Sequence, residues 1–168
     1  MFSLAKLIIP LVVIFLLCSC STGTQISPCV DNISFNAETV WDDTDYSLLC
    51  KTHNEKLEMK ILSPERIKDC EFIFSGDKIN IKFLGLEKEA DKSVISENSP
   101  LKVIHKGFEI AKQEKNLTLK DNKYYCKFKL SDTEYTFTFG ASGLPIEITD
   151  KNKHHIIFKS VTILSKHE

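Results

Sequence analysis

Arginine is almost missing from this chain. Of its 22 basic residues, Arg66 is the single arginine and the others are lysine. The planar guanidinium is well suited to bidentate binding of phosphate and carboxylate groups, so its scarcity argues against a protein that recognises phosphate groups. The 22 basic and 23 acidic side chains leave a formal net charge of −1. No basic field attracts a polyanion, and we expect no nucleic-acid partner.

Glycine and proline are also scarce, with 6 and 5 residues in a chain of 168. This excludes collagen-like and low-complexity classes of protein, which depend on these residues. Hydrophobic residues make up 42% of the chain, and 11 of them are phenylalanine. Such a chain is long enough and apolar enough to form one domain with its own core.

An apolar run of membrane-spanning length is absent as well. The longest run, residues 7–17 (LIIPLVVIFLL), follows Lys6 and contains no charge. Eleven residues rise about 16 Å as a helix, roughly half of the hydrocarbon core of a bilayer. A basic start, a short apolar centre and small residues after it indicate a secretory signal peptide, with an uncleaved anchor as the alternative.

The residues after this run, Leu17-Cys18-Ser19-Cys20, resemble the bacterial lipobox. The resemblance implies that a diacylglyceryl group is attached to Cys20 and that the chain is cut before it. Residues 1–19 are then a lipoprotein signal peptide, and residues 20–31 are the lipidated cysteine and a tether. Because two acyl chains give stable anchoring, we expect an exported lipoprotein that is held on the outer face of the cell membrane. Its acyl chains are expected to be fatty acids such as palmitate.

From about residue 32 the sequence alternates apolar and polar residues. This period of two is typical of antiparallel strands with one buried and one exposed face. The predicted strands are 45–52, 56–62, 70–74, 78–83, 124–130, 134–139, 146–149 and 155–163.

Two segments depart from this alternation. Residues 63–69 predict one helical turn with Ser63 as its cap and Pro64 at its first position. Residues 98–115 predict the main helix, capped by Ser99, with a stripe of apolar residues on one side. That stripe needs an apolar surface, so we expect the helix to lie across the buried, concave face of the sheet.

This order of elements, with Pro64 after a strand and Gly143-Leu144-Pro145 before one, resembles the LolA/LppX-like half-barrel lipoproteins of the bacterial envelope. The resemblance implies an α+β, mostly β fold over residues 32–168, in which a curved antiparallel sheet surrounds one helix. It also implies that the concave side can hold an acyl chain. The clostridial spore germination lipoproteins (GerS-like) share this pattern and act through a protein partner.

Cysteines and histidines show no spacing that indicates chemistry. Cys50, Cys70 and Cys126 are in phase with buried strand faces, so they are either small apolar side chains or members of a disulfide. No C-x-x-C or H-E-x-x-H spacing is present, and His154-His155 is interpreted as a solvated turn. We therefore expect no metal, no cofactor and no catalytic residues.

Two functions remain. The first is binding of a protein partner in the envelope, in spore germination or cell-wall processing, through a sheet edge or face. The second is binding or transfer of a lipid on the apolar face. The candidate residues of that face are Phe72, Phe74, Phe83, Phe108, Tyr124, Phe128, Tyr135, Phe137 and Phe139.

Overall fold

The computed structural model describes residues 27–113, 117–151 and 154–165. Within these ranges, eleven strands form one antiparallel sheet around a single α-helix. The strands are β1 (Ile33–Trp41), β2 (Thr44–His53), β3 (Lys56–Ser63), β4 (Glu71–Ser75), β5 (Lys78–Phe83), β6 (Leu86–Asp91), β7 (Thr118–Lys120), β8 (Lys123–Leu130), β9 (Thr133–Phe139), β10 (Pro145–Asp150) and β11 (His155–Ile163). The helix α1 is Pro100–Gln113. The predicted signal peptide, Cys18 and Cys20 lie outside the described residues.

The sheet consists of two meanders joined at its centre. The spatial order is β6-β5-β4-β3-β2-β1-β11-β10-β9-β8-β7, so the first and last strands of the chain are neighbours. Ile33 of β1 lies opposite Ile163 of β11. Since β6 and β7 form the two outer edges and α1 lies between them in sequence, the helical segment must cross the sheet from one edge to the other.

The eight predicted strands are confirmed, with bounds that differ by at most one residue at either end. Three strands, β1, β6 and β7, were not among those predicted. β6 (LEKEAD) is exposed on both faces except at Ala90, so it has no buried row to produce an alternating pattern. β7 has three exposed residues. Edge strands of this kind are held by backbone pairing, which side-chain periodicity does not reveal.

The predicted cap of α1 is confirmed, whereas that of the short turn is wrong. The Ser99 hydroxyl accepts a hydrogen bond from the backbone N–H of Lys102 at 3.2 Å. The short turn is a 3₁₀ helix, Glu65–Ile67, and no side chain caps it. The Ser63 hydroxyl instead donates to the carbonyl oxygen of Asp45 at 3.2 Å, on the neighbouring strand. The carbonyl oxygen that binds the Ser63 hydroxyl belongs to a neighbouring strand, so the local sequence around Ser63 could not reveal this hydrogen bond.

The sheet curves strongly around α1. His105 stacks on Phe74 of β4, and a side chain at position 107 would meet Phe128 of β8. Six strands lie between β4 and β8. In a flat sheet the two strands would be about 34 Å apart. Positions two residues apart on one helix can reach both strands only if the sheet wraps around the helix. The molecule is therefore the mostly β half-barrel that the sequence resemblance implied, with the helix on the concave side.

Gly107 marks the place where the helix approaches the sheet most closely. A Cβ atom at this position would lie 3.0 Å from Cδ1 of Ile148 and 3.3 Å from the ring of Phe128. A glycine in a helix costs about 1 kcal/mol relative to alanine. Here the missing side chain lets the helix backbone pack directly against the side chains of β8 and β10.

The packed domain reaches back to Cys29, close to the predicted tether. The backbone N–H of Cys29 donates to the carbonyl oxygen of Gly143 at 2.9 Å, and Val30 is buried. At the other terminus, the N–H of Leu164 donates to the carbonyl oxygen of Asn32 at 2.7 Å. The first and last described segments therefore leave the sheet at the same end of the strands.

Candidate functional site

The concave side of the sheet is filled by aromatic rings that surround Phe108 of α1. The ring of Phe108 is parallel to that of Phe35, with centroids 5.1 Å apart. It also contacts Phe137 at 5.2 Å and Phe158 at 5.9 Å. Offset-stacked and edge-to-face pairs at these distances are the favourable geometries for aromatic rings. The centre of the half-barrel is thus a packed core.

The nine candidate residues of the apolar face divide into two groups. Seven are buried in this core: Phe74, Phe108, Tyr124, Phe128, Tyr135, Phe137 and Phe139. Phe72 and Phe83 are only partly buried. These two lie on β4 and β5, toward one edge of the sheet. The predicted face is therefore covered in the middle of the sheet and partly open near β6.

Sequence reasoning missed the central rings, Phe35 of β1 and Phe158 of β11. Phe35 packs edge-on against Phe158, with ring centroids 5.1 Å apart. The alternation of Ile33, Phe35 and Ala37 in β1 was the available signal, since all three are buried. The pairing of the first strand with the last, which brings the two rings together, has no local signature.

A small cavity remains beside the helix. Its volume is about 130 Å³, its base is formed by Leu57, Phe74 and Phe108, and its rim includes Glu109 and Lys112. Sites for drug-sized ligands are typically about 300–1,000 Å³. In this conformation the cavity does not have room for an acyl chain.

His105 lies at this cavity and serves as an apolar side chain. Its ring stacks on Phe74 with centroids 4.3 Å apart. Burial lowers the pKa of His105 to about 4, and the ammonium groups of Lys92, Lys102 and Lys106 act in the same direction. The ring is therefore neutral at neutral pH, when it packs well against Phe74.

The cysteines of the strands belong to the core. Cys50 and Cys70 are buried free thiols, and Cys126 is buried as well. Burial raises the pKa of the Cys50 thiol far above its ordinary value, which is the opposite of what a reactive cysteine needs. Within the described ranges, no group of three or more His, Cys, Asp or Glu side chains could hold a metal ion.

The interpretation of His154 as part of a solvated turn is wrong. Its ring stacks on Trp41 with centroids 3.8 Å apart, and its Nδ1 lies 2.8 Å from Oδ2 of Asp150. The Trp41 indole N–H donates to the carbonyl oxygen of Asn98 at 2.9 Å, in the segment before α1. Adjacent His155 points away and meets Glu147. The histidine is held in a structural stack that long-range contacts create.

The two most exposed large apolar side chains of the described residues lie where β5 turns into β6. Leu84 is 85% exposed and Leu86 is 77% exposed. Phe83 and Leu86 are directly opposite each other, and Ile81 is opposite Phe72 on the next strand. We call these five residues, Phe72, Ile81, Phe83, Leu84 and Leu86, the outer hairpin patch. An exposed apolar cluster is a common mark of an interaction surface.

The backbone at Leu84 is also unusual. Its φ of 51° and the φ of 79° at Gly85 place both residues of the turn in the left-handed region. Asparagine and glycine are the residues normally found at the first position of such a turn, whereas a bulky side chain there is strained. Strain of this kind is often found at functional sites.

No helix in the described part of the chain is long and apolar enough to cross a membrane.

Comparisons with known proteins give one structural likeness. No protein-family model matches the chain, and no curated protein is significantly similar to it. Among solved structures, the chain is similar to the crystal structure of a LolA superfamily protein from Nitrosomonas europaea. The likeness covers 86% of this chain and 90% of that chain, with a TM-score of 0.40 and 10% sequence identity. Neither a ligand nor an activity follows from a likeness of this size.

Proposed function

We propose that this protein is a non-catalytic envelope lipoprotein that is tethered to the membrane through Cys20 and binds a protein partner with the outer hairpin patch. The observation that carries the proposal is the pair of exposed leucines, Leu84 and Leu86, on a sheet whose concave side is filled at its centre. Burial of a leucine side chain contributes about 1.5–3 kcal/mol. Two leucines and the half-buried rings beside them can therefore form the apolar centre of an interface.

The filled core favours a partner over an enclosed ligand. Entry of an acyl chain would require Phe108 to leave its contacts with Phe35, Phe137 and Phe158. Removing a buried phenylalanine from a core costs about 3–5 kcal/mol. The outer hairpin patch needs no such rearrangement, because its side chains are already accessible.

The strain at Leu84 supports the same proposal. A non-glycine residue in the left-handed region costs roughly 1–2 kcal/mol, and asparagine accepts it more readily than leucine. An exposed leucine at φ 51° makes no compensating contribution to the core. A contact with a second molecule would offset this cost.

The position of the patch favours a protein over the bilayer to which the chain is tethered. The described chain enters the sheet at Ile33, where β1 begins. Ala37 of β1 is level with Leu48 of β2 and Ile61 of β3. Because β3, β4 and β5 then alternate in direction, β5 runs the same way as β1. The β5–β6 turn therefore lies toward the other end of the strands, where β1 ends at Trp41. A tether that begins at the membrane thus joins the domain at the end of the strands opposite to the turn that carries Leu84, whereas Phe72 and Ile81 of the patch are level with Phe35.

The resemblance to the GerS-like lipoproteins supports a partner in spore germination or cell-wall processing. Export to the outer face of the cell membrane, which is part of this proposal, would bring the patch into contact with envelope proteins. We therefore expect the partner to be an envelope protein of the same cell.

Capture from detergent extracts of host membranes tests the proposal, with Leu84→Asn as the decisive variant. Asparagine fits the left-handed turn, so the free energy of unfolding of the variant should be about 1 kcal/mol larger than that of the wild type. Capture of a stoichiometric partner should nevertheless fall at least tenfold, because an apolar contact is lost.

Leu119→Asn is the matched control. Leu119 is 53% exposed on β7, at the opposite edge of the sheet, and its replacement should leave capture unchanged. A partner that is captured equally well by wild type and Leu84→Asn would contradict the proposal, and so would the absence of any stoichiometric partner.

The second candidate is the binding or transfer of a hydrophobic ligand. The cavity of about 130 Å³ with its base of Leu57, Phe74 and Phe108 favours it, if α1 moves away from the sheet and enlarges that space. Native mass spectrometry of protein purified from its host tests this candidate. A lipid bound at one molecule per chain would support it, and a ligand-free mass would count against it.

A further inference from the structure

The edge strand beside the outer hairpin patch offers a surface for a second type of contact. Among the described residues, β6 pairs with β5 on one side, and no strand pairs with its other side. A strand at the end of a sheet presents backbone N–H and C=O groups that an additional strand can bind. At six residues, β6 is twice as long as β7, the strand at the opposite edge.

The two faces of β6 differ in chemistry. Glu87, Glu89 and Asp91 share the convex face, opposite Lys82, Asn80 and Lys78 of β5. Leu86, Lys88 and Ala90 share the concave face, opposite Phe83, Ile81 and Ile79. An additional strand therefore meets a row of carboxylates on one face and, on the other, Leu86 and Ala90 with Lys88 between them.

The three carboxylates are not equally engaged within the domain. Glu87 is bound by the amide of Asn80 and lies 3.7 Å from Lys82. Asp91 accepts a hydrogen bond from the N–H of Ser93 at 2.9 Å, which lowers the pKa of its carboxyl group. Glu89, at the middle of the row, has no ion pair with any described residue. It is the carboxylate most readily available to a basic partner.

The same row opposes pairing between two copies of this chain. A twofold axis perpendicular to the sheet joins identical edges and keeps each face on its own side. In such a pair, residues opposite each other share a face. With the axis at Lys88, Glu87 lies against Glu89 and Lys88 against Lys88; with the axis at Glu89, Glu89 lies against Glu89 and Glu87 against Asp91. Like charges directly opposite each other are destabilising. Pairing between the β6 strands of two copies is thus disfavoured, while the backbone groups of β6 stay available to a strand of complementary charge.

We propose that β6 is the docking edge for an extended segment of the partner protein in which basic and apolar residues alternate. The basic side chains lie beside the convex carboxylates, and the apolar ones lie beside the concave row of Leu86, the aliphatic stem of Lys88 and Ala90. This inference rests on the proposed partner-binding function and specifies the chemistry of the partner. The outer hairpin patch adds an apolar contact at one end of the docked strand, since Leu86 belongs to both surfaces.

Short peptides test the edge directly against the full chain in detergent. The probe is a labelled six-residue peptide that alternates lysine and valine, followed by fluorescence anisotropy at low salt. A peptide with glutamate in place of lysine is the charge control. We expect the lysine peptide to bind more tightly and to slow hydrogen exchange of the amides of residues 86–91.

Backbone pairing is separated from simple charge attraction by N-methylation. Methyl groups on alternate amides block hydrogen bonds on one side of the peptide and leave its charge unchanged. Two such peptides are made, one methylated on the odd-numbered amides and one on the even-numbered amides. One of them should lose binding and the other should keep it. Equal binding of both methylated peptides would overturn the proposal, as would equal binding of the glutamate peptide or no binding of either peptide.

Glu89→Lys is the matched variant of the protein. It should weaken binding of the lysine peptide about tenfold, because a favourable cross-strand pair becomes a repulsive one. Glu55→Lys, in the exposed β2–β3 turn, should leave binding unchanged. If Leu84→Asn reduces partner capture and Glu89→Lys does not, the edge proposal is wrong while the proposed function stands. If neither variant reduces capture, both fail.

Discussion

Burial decides what the titratable side chains of this protein can do. His105 and Cys50 are residues that often carry chemistry, yet both contact apolar core residues. Desolvation opposes the charged form of each, so it lowers the pKa of the histidine and raises that of the thiol. These groups contribute packing and a dependence of stability on pH.

The dependence on pH should be measurable at His105. An unfolded histidine binds its proton near pH 6.5, whereas the folded ring binds it only near pH 4. Between these values the unfolded state holds more protons, so the free energy of unfolding falls as the pH drops below about 6.5. The total loss from this residue is at most about 3 kcal/mol.

His105→Phe should remove this loss and keep a ring against Phe74. Urea unfolding at pH 7.5 and pH 5 measures the effect. We expect the wild type to lose about 2 kcal/mol more than the variant between the two pH values. An equal loss in both proteins would show that His105 is not buried in its neutral form.

The helix α1 depends on local sequence at its start and on tertiary contacts along its length. Ser99 and Pro100 define the first turn, as their positions predict. Further along, Gly107 would weaken an isolated helix. The close approach to Ile148 and Phe128 explains the glycine, and this reason appears only once the helix is placed on the sheet.

Ser99→Ala should destabilise the domain by about 1 kcal/mol, because the N–H of Lys102 loses the oxygen that accepts its hydrogen bond. Ser99→Asp keeps an acceptor at the cap and should retain most of the stability. Thermal or urea unfolding of the three proteins measures the difference. Equal stability of wild type and Ser99→Ala would mean that the cap contributes nothing to α1.

At the scale of the whole molecule, the position of the domain depends on a segment outside the described residues. In our proposal, which rests on the lipobox resemblance, Cys20 carries the membrane tether and Cys18 leaves with the signal peptide. The packed domain begins only nine or ten residues later, where Cys29 and Val30 join the sheet. A short tether would hold the half-barrel close to the membrane surface.

Cys20→Ala should abolish incorporation of labelled palmitate in the host. The protein should then accumulate as an unprocessed precursor or leave the membrane fraction. Cys18→Ser, which keeps a small residue two positions before Cys20, should be processed as the wild type is. Labelling and membrane retention of Cys20→Ala at wild-type levels would refute the assignment.

The sequence by itself determined the local features of this protein. The alternation of side chains placed eight strands, and Ser99 with Pro100 placed the start of the helix, because both signals act over a few neighbouring residues. For six of these strands it also predicted which face is buried, and with it the burial of Phe74, Phe137 and Cys50.

Only the tertiary structure decided which rows of side chains stay open. The pairing of β1 with β11 closes the centre of the sheet over Phe35, Phe108 and Phe158, and the cavity beside α1 that Leu57 and Phe74 line is small, about 130 Å³. Two edges remain, and at one of them lie Leu84, Leu86 and the unpaired side of β6. The physical reason is that curvature and strand order arise from contacts between residues far apart in the chain, and no short stretch of sequence contains them.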